Sequence, residues 1–173
     1  PYQPVKLLDR KVIMNTPAYT LEWVRFQGRF SGNNGIIGGY LATPIGGPNQ
    51  KPTVLSMMGY EDMNASFGIT NFPYPYLNAY GDYLARQGYI VFMPYIMYPF
   101  DGWGAILQAR TNHQKNIWQF LLPFYMSSVD FLMEQPNVDT SRIAAYGLSY
   151  GGVAALYATA FDPRISELIY SNP

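Results

Sequence analysis

Gly147-Leu148-Ser149-Tyr150-Gly151-Gly152 is the stretch on which the reading of this chain turns. It fits Gly-x-Ser-x-Gly, a five-residue pattern with three fixed positions that recurs by chance. Its flanks give it meaning. Ile143 to Leu148 is a short apolar run of strand type, and Gly152 to Phe161 is a helical-length run of small and apolar residues. A serine on so tight a strand-to-helix turn takes a strained backbone conformation. Side chains at Gly147 and Gly151 would strike the adjoining strand or helix. Ser149 then stands above the sheet, with the helix N-terminus directed at a forming oxyanion. The competing reading is an ordinary glycine-rich turn, or one that cradles a phosphate.

Working outward, strands and helices alternate around this motif. Downstream, Asp162-Pro163 breaks the helix and Ile165 to Tyr170 begins a further strand. Upstream, Pro136 to Arg142 leads into the apolar strand. Asn112 to Glu134 places Ile117, Phe120, Leu121, Tyr125, Val129 and Leu132 on one helical face, with Pro123 expected to kink or split it. Tyr89 to Met93 reads as a strand. Asn78 to Gln87 reads as a helix ending at Gly88, a natural C-cap. Thr53 to Met58 is an apolar run between Pro52 and Gly59, as a buried parallel strand requires. Further upstream, Leu21 to Gln27 and Ile36 to Thr43 read as an antiparallel hairpin, and Pro44 to Gln50 as a turn. The pattern predicts an α/β fold with a mostly parallel sheet and helices on both faces.

Composition narrows the function classes. The 173 residues carry 11 Lys plus Arg against 11 Asp plus Glu, so no basic field exists to attract nucleic acid or an anionic membrane. Hydrophobic residues make up 49% of the chain, enough for a packed core and too many for disorder. The absence of Cys excludes disulfides, zinc-thiolate sites and thiol nucleophiles. No apolar run is long enough for a membrane-spanning helix. Low charge and missing Cys lean toward export. No cofactor is expected, and no metal: Glu61, Asp62 and Asp101 lack a histidine or third clustered acid and read as loop or capping carboxylates.

Taken with these motifs, the chain resembles the α/β-hydrolase superfamily from about Leu21 to Pro173. Lys51 to Tyr60 looks like the third strand and oxyanion loop of that fold, with Met58-Gly59 where members often carry His-Gly. Tyr83 to Pro94 is similar to its first helix and fourth strand. Val138-Asp139-Thr140-Ser141-Arg142-Ile143, the motif around Ser149, and Phe161-Asp162-Pro163-Arg164-Ile165 together resemble the dienelactone-hydrolase and acetyl-xylan-esterase-like branch. Leu148 to Gly152 is also similar to the prolyl oligopeptidase family, the nearest competitor. The resemblance implies acyl transfer from a small-molecule ester or acyl substrate, with Ser149 as nucleophile. The oxyanion would be held by the backbone N–H groups of Tyr150 and Tyr60, with Gly59 permitting close approach. The plainer reading of Gly59-Tyr60 is a strand-ending turn.

The resemblance also implies an acid and then a histidine after the serine, and here the pattern breaks. Only twenty-four residues follow Ser149, none of them histidine. The single His113 lies 36 residues upstream and reads as a helix-start or lid residue. Asp162 and Glu167 are the only downstream acids, and Asp162 reads as structural, capping a helix end. A serine without a base is a poor nucleophile. The expectation is therefore that residues 1–173 form the N-terminal portion of a single hydrolase domain, truncated after a sixth strand. The acid and base would come from beyond Pro173 or from a second chain that completes the sheet and triad. The alternatives are a prolyl oligopeptidase-type peptidase and an inactive hydrolase-like binding module. The loop aromatics Phe67, Phe72, Tyr74, Tyr76, Tyr95, Tyr98, Phe100 and Trp103 read equally as an acyl pocket or as lid packing.

Overall fold

Alternating apolar and polar residues build the strand around residues 21–27, and short, mostly apolar runs such as 54–57 and 90–93 build the buried central strands. A computed structural model describes residues 4–30, 33–57, 67, 80–95 and 118–171. Its elements in chain order are β1 (Lys6–Asn15), β2 (Tyr19–Phe30), β3 (Asn33–Pro44), β4 (Lys51–Met57), α1 (Tyr80–Arg86), β5 (Ile90–Tyr95), α2 (Trp118–Met133), β6 (Val138–Leu148), α3 (Tyr150–Phe161) and β7 (Glu167–Ser171). The seven strands form one sheet in the order β1-β2-β3-β5-β4-β6-β7.

The sheet is mixed. β1, β2, β3 and β5 are joined by antiparallel ladders, and β2 pairs with β3 without interruption from Tyr19↔Pro44 to Phe30↔Asn33. β5-β4, β4-β6 and β6-β7 are parallel. The parallel character expected from strand–helix alternation thus belongs to the four strands around the Ser149 motif. The expected six strands become seven because β1 precedes the hairpin. Its Leu7-Leu8 and Val12-Ile13 pairs break the period of two, and bulges fall at Leu7/Asp9 and Val12/Met14. Pro123 does not split its helix: α2 is continuous through it.

Helices cover both faces. Phe26 of β2 stacks on Phe131 of α2, with ring centroids 4.5 Å apart and planes 5° apart, and Phe92 of β5 meets the same ring at 5.0 Å. Gly28 lies against Ser127 of α2 so closely that a Cβ there would sit 2.8 Å from it. On the opposite face the buried Tyr19 donates to Asp82 of α1 at 2.7 Å. Burial pushes its phenol pKa up, and the hydrogen bond to Asp82 adds to the shift. α1 ends where Gly88 takes φ 92° and its N–H reaches Ala85 O, as a left-handed C-cap requires. The core runs between these layers, with Leu21, Ile37, Leu55, Met57, Val91, Leu121, Val129 and Ile143 each 0% exposed.

β7 is different. All five of its residues are exposed, with Leu168, Ile169 and Tyr170 at 36%, 45% and 45%. It pairs with β6 on one side and forms one edge of the described sheet.

Candidate active site

The turn between β6 and α3 has the strained form that the Gly-x-Ser-x-Gly reading requires. Ser149 has φ 57° and ψ −124°, and it is the one non-glycine at positive φ among the described residues. An L-residue holds such a conformation only when its surroundings over-determine it. They do so here. Ser149 N–H donates to the carbonyl of Ser171 at 3.0 Å, and Ser149 O accepts the first helical bond of α3 from Val153 at 3.2 Å. The hydroxyl makes no capping bond to α3.

Glycine at 147 is a packing necessity. A Cβ there would lie 2.1 Å from Gly151 O and 2.3 Å from Gly151 C, well inside van der Waals contact. The close approach is between Gly147 and Gly151 themselves. Gly152 is also confined, since a Cβ on it would stand 2.9 Å from the Tyr170 ring and 3.0 Å from Ser171 O. The buried Ala154, Ala155 and Ala158 continue this small-residue contact along α3. The N–H groups of Tyr150, Gly151 and Gly152 head α3 before the first i→i−4 bond, where the helix end carries its positive partial charge. Tyr150 itself packs against the core.

The neighbouring strand end is tied to the elbow strand. Met57 is the register partner of Gly147, and Ser56 of Tyr146. Ser56 is fully buried, and its hydroxyl shares a 3.0 Å hydrogen bond with Tyr80, the first residue of α1. The Tyr80 ring meets Tyr146 at 4.8 Å between centroids. Sequence reasoning gave Ser56 and Tyr146 no part in the site. They lie 24 and 66 residues from Tyr80, and nothing local marks the contact.

Asp162 has structural partners. It is the C-cap of α3, 1% exposed, and accepts from Arg164 N–H at 3.1 Å, Nε at 2.8 Å and an Nη at 2.5 Å. Arg164 also pairs with the buried Asp130 of α2. Hydrogen bonding to Asp162 raises the guanidinium pKa further above its ordinary value, with Asp130 adding to the effect and burial opposing it. Glu167 is exposed on β7. Of the loop aromatics, Phe67 is buried and contacts Tyr19 and Tyr40, which is packing, and Tyr95 is half-buried against the core. Met58, Gly59, Tyr60, Glu61, Asp62, Phe72, Tyr74, Tyr76, Tyr98, Phe100, Asp101, Trp103 and His113 lie outside the described residues. No three His, Cys, Asp or Glu side chains cluster as metal ligands among the described residues. No described helix is long and apolar enough to cross a membrane.

A cleft of about 270 Å³ at the other end of the sheet is lined by Arg10, Glu22, Thr43, Ile90, Gln135 and Asn137, at the starts of β5 and β6. Ser149 follows the carboxyl end of β6, the end at which open α/β sheets bind ligands.

No protein-family model and no curated protein matches the sequence. Solved structures do match. An acetyl xylan esterase from Paenibacillus sp. R4 superposes with a TM-score of 0.65 at 22% identity, over 97% of this chain and 52% of that one. Acetyl xylan esterase 1 from Thermoanaerobacterium sp. JW/SL YS485 gives 0.67 at 17% identity, over 96% and 51%. A glucuronoyl esterase from Solibacter usitatus gives 0.65 at 17% identity, over 97% and 52%. The fold is therefore the α/β-hydrolase fold of these esterases. The chain spans about half the length of the solved structures it resembles.

Proposed function

We propose that this chain carries the nucleophile of a serine carboxylic-ester hydrolase, with Ser149 attacking the ester carbonyl to form an acyl-enzyme. The observation that carries the reading is the backbone of Ser149 at φ 57°, ψ −124°, held between a strand and a helix that touch at Gly147 and Gly151. Strain of this kind costs on the order of 1–3 kcal/mol. A turn that only connected β6 to α3 would be more stable with glycine at 149. Retaining serine there supports a use for its hydroxyl, which is left uncommitted to helix capping.

In the proposed reaction the tetrahedral oxyanion accepts hydrogen bonds from Tyr150 N–H, at the head of α3, and from Tyr60 N–H, next to Gly59. The serine proton passes to a histidine oriented by a carboxylate, and both come from residues beyond Pro173 or from a second chain. That histidine then protonates the leaving alcohol, and water reverses the sequence to release the acid. Solved structures named for acetyl xylan and for glucuronoyl esters favour an ester of a carbohydrate alcohol or uronic acid over a prolyl peptide. Asp162 has no place in this chemistry, because its carboxylate is committed to Arg164.

A fluorophosphonate probe on the full-length protein tests the assignment. Labelling should fall on Ser149, and Ser149→Ala should abolish it. A folded protein that takes up no probe would sink the proposal, and hydrolysis of prolyl amides in preference to acetyl esters would favour the peptidase reading.

A further inference from the structure

The geometry points to Tyr80 as a positioning residue that fixes the carboxyl end of β4 against the carboxyl end of β6; this inference rests on the catalytic reading of Ser149. Ser56 and Tyr146 are register partners on adjacent parallel strands, one and two residues from the strand ends at Met57 and Leu148. Tyr80 engages both. Its hydroxyl shares a 3.0 Å hydrogen bond with Ser56, and its ring lies against Tyr146 with centroids 4.8 Å apart. One side chain at the start of α1 thus spans the two strands on the face away from α3.

Two features make this more than core packing. Ser56 is a fully buried hydroxyl between the apolar Leu55 and Met57, where an alanine would fill the place without needing a partner. The bond also sits beside the elbow: Tyr146 precedes Ser149 by three residues, and Met57 lies beside Gly147. Parallel strands are already joined by backbone ladders, yet ladder bonds end where strands end. A side-chain bond at the Ser56↔Tyr146 pair, one short of Met57↔Gly147, reinforces the register next to the elbow. The reaction is sensitive there, because a displacement of about 1 Å between reacting groups costs up to ~100-fold in rate.

Three variants of the full-length protein decide the matter. Tyr80→Phe keeps the ring contact and removes the bond. Its fluorophosphonate labelling rate and its kcat on an acetyl ester should fall about tenfold, with KM within about twofold, because the interaction serves the transition state. Ser56→Ala should match it. The double variant, Tyr80→Phe with Ser56→Ala, leaves no unsatisfied hydroxyl and should recover most of the thermal stability, while its labelling rate stays as low as in either single variant. If Ser56 and Tyr80 only satisfied each other in the core, the double variant would recover its rate with its stability, and the inference would be wrong. Wild-type labelling by Tyr80→Phe would overturn it while leaving the assignment of Ser149 intact. A wild-type protein that does not label at all would remove both. Tyr83→Phe, exposed on the same helix, should behave as wild type.

Discussion

Gly147→Ala perturbs the elbow with a single methyl group. The added carbon would stand 2.1 Å from Gly151 O, 2.3 Å from Gly151 C and 2.7 Å from Gly152 N, where ordinary contact begins at 3.4 Å. All three atoms are backbone, so no rotamer change relieves the overlap. The first turn of α3 must retreat from β6 by about 1.3 Å, the difference between 3.4 and 2.1 Å. Overpacking of a core costs about 1–3 kcal/mol, and a clash with fixed backbone belongs at the upper end. At about 2–4 °C per kcal/mol for a chain of this size, the melting temperature should drop by roughly 6–12 °C. The retreat also shifts the Tyr150 N–H from where the oxyanion would form, and a shift of about 1 Å is worth on the order of 100-fold in rate. Thermal melts and fluorophosphonate time courses on the full-length protein measure both effects. Gly152→Ala is the internal comparison: its methyl meets a movable Tyr170 ring at 2.9 Å and Ser171 O at 3.0 Å, milder overlaps that should cost about 1 kcal/mol. A Gly147→Ala protein melting within about 2 °C of wild type and labelling within about twofold would refute the argument that this glycine sets the elbow.

Two further outcomes follow from the same geometry. Ser149→Gly should abolish labelling and raise stability by about 1 kcal/mol in a chemical denaturation series, because strain of about 1–3 kcal/mol is relieved and about 1 kcal/mol of glycine chain entropy offsets part of the gain; a loss of stability would show that the serine conformation is unstrained. Arg164→Met leaves the buried carboxylates of Asp130 and Asp162 facing each other without their cation, at an expected cost of about 3–5 kcal/mol in the same assay, and a cost below about 1 kcal/mol would mean the cluster is solvated.

What could be read from the sequence followed the range of the interactions involved. The elbow was legible because its pattern, from Ile143 to Phe161, is contiguous: an apolar strand, two glycines at fixed offsets and a run of alanines; the Ser171 carbonyl that anchors it was not. β4 and β5 were legible for the same reason, as apolar runs between Pro52 and Gly59 and between Gly88 and Pro94. β1 was not. Lys6 to Asn15 places apolar residues side by side at Leu7-Leu8 and Val12-Ile13, and only pairing with β2, with two bulges, makes it a strand. Tertiary partners settle such segments, since strand propensity reflects neighbours more than backbone. Pro123 leaves its helix unsplit for a related reason: packing of Leu121, Phe124 and Tyr125 into the core outweighs the one backbone bond it removes. The clasp of Ser56 with Tyr80, and the bridging of Asp130 and Asp162 by Arg164, join positions too far apart for any local pattern to announce.

The turn from Ile45 to Gln50 has a practical consequence. It is exposed throughout, and Gly46 and Gly47 at φ 72° and 74° let it reverse without help from the core. β3 runs antiparallel to β5, while β6 runs in the same direction as β5, so this turn projects from the end of the sheet opposite Ser149. The chain has no native thiol. A cysteine introduced at Asn49 would therefore be the one thiol among these 173 residues, and a surface or fluorophore coupled through it would leave the serine end turned toward solution. Immobilised in that orientation, every molecule in a layer would present the same edge to a soluble polymer.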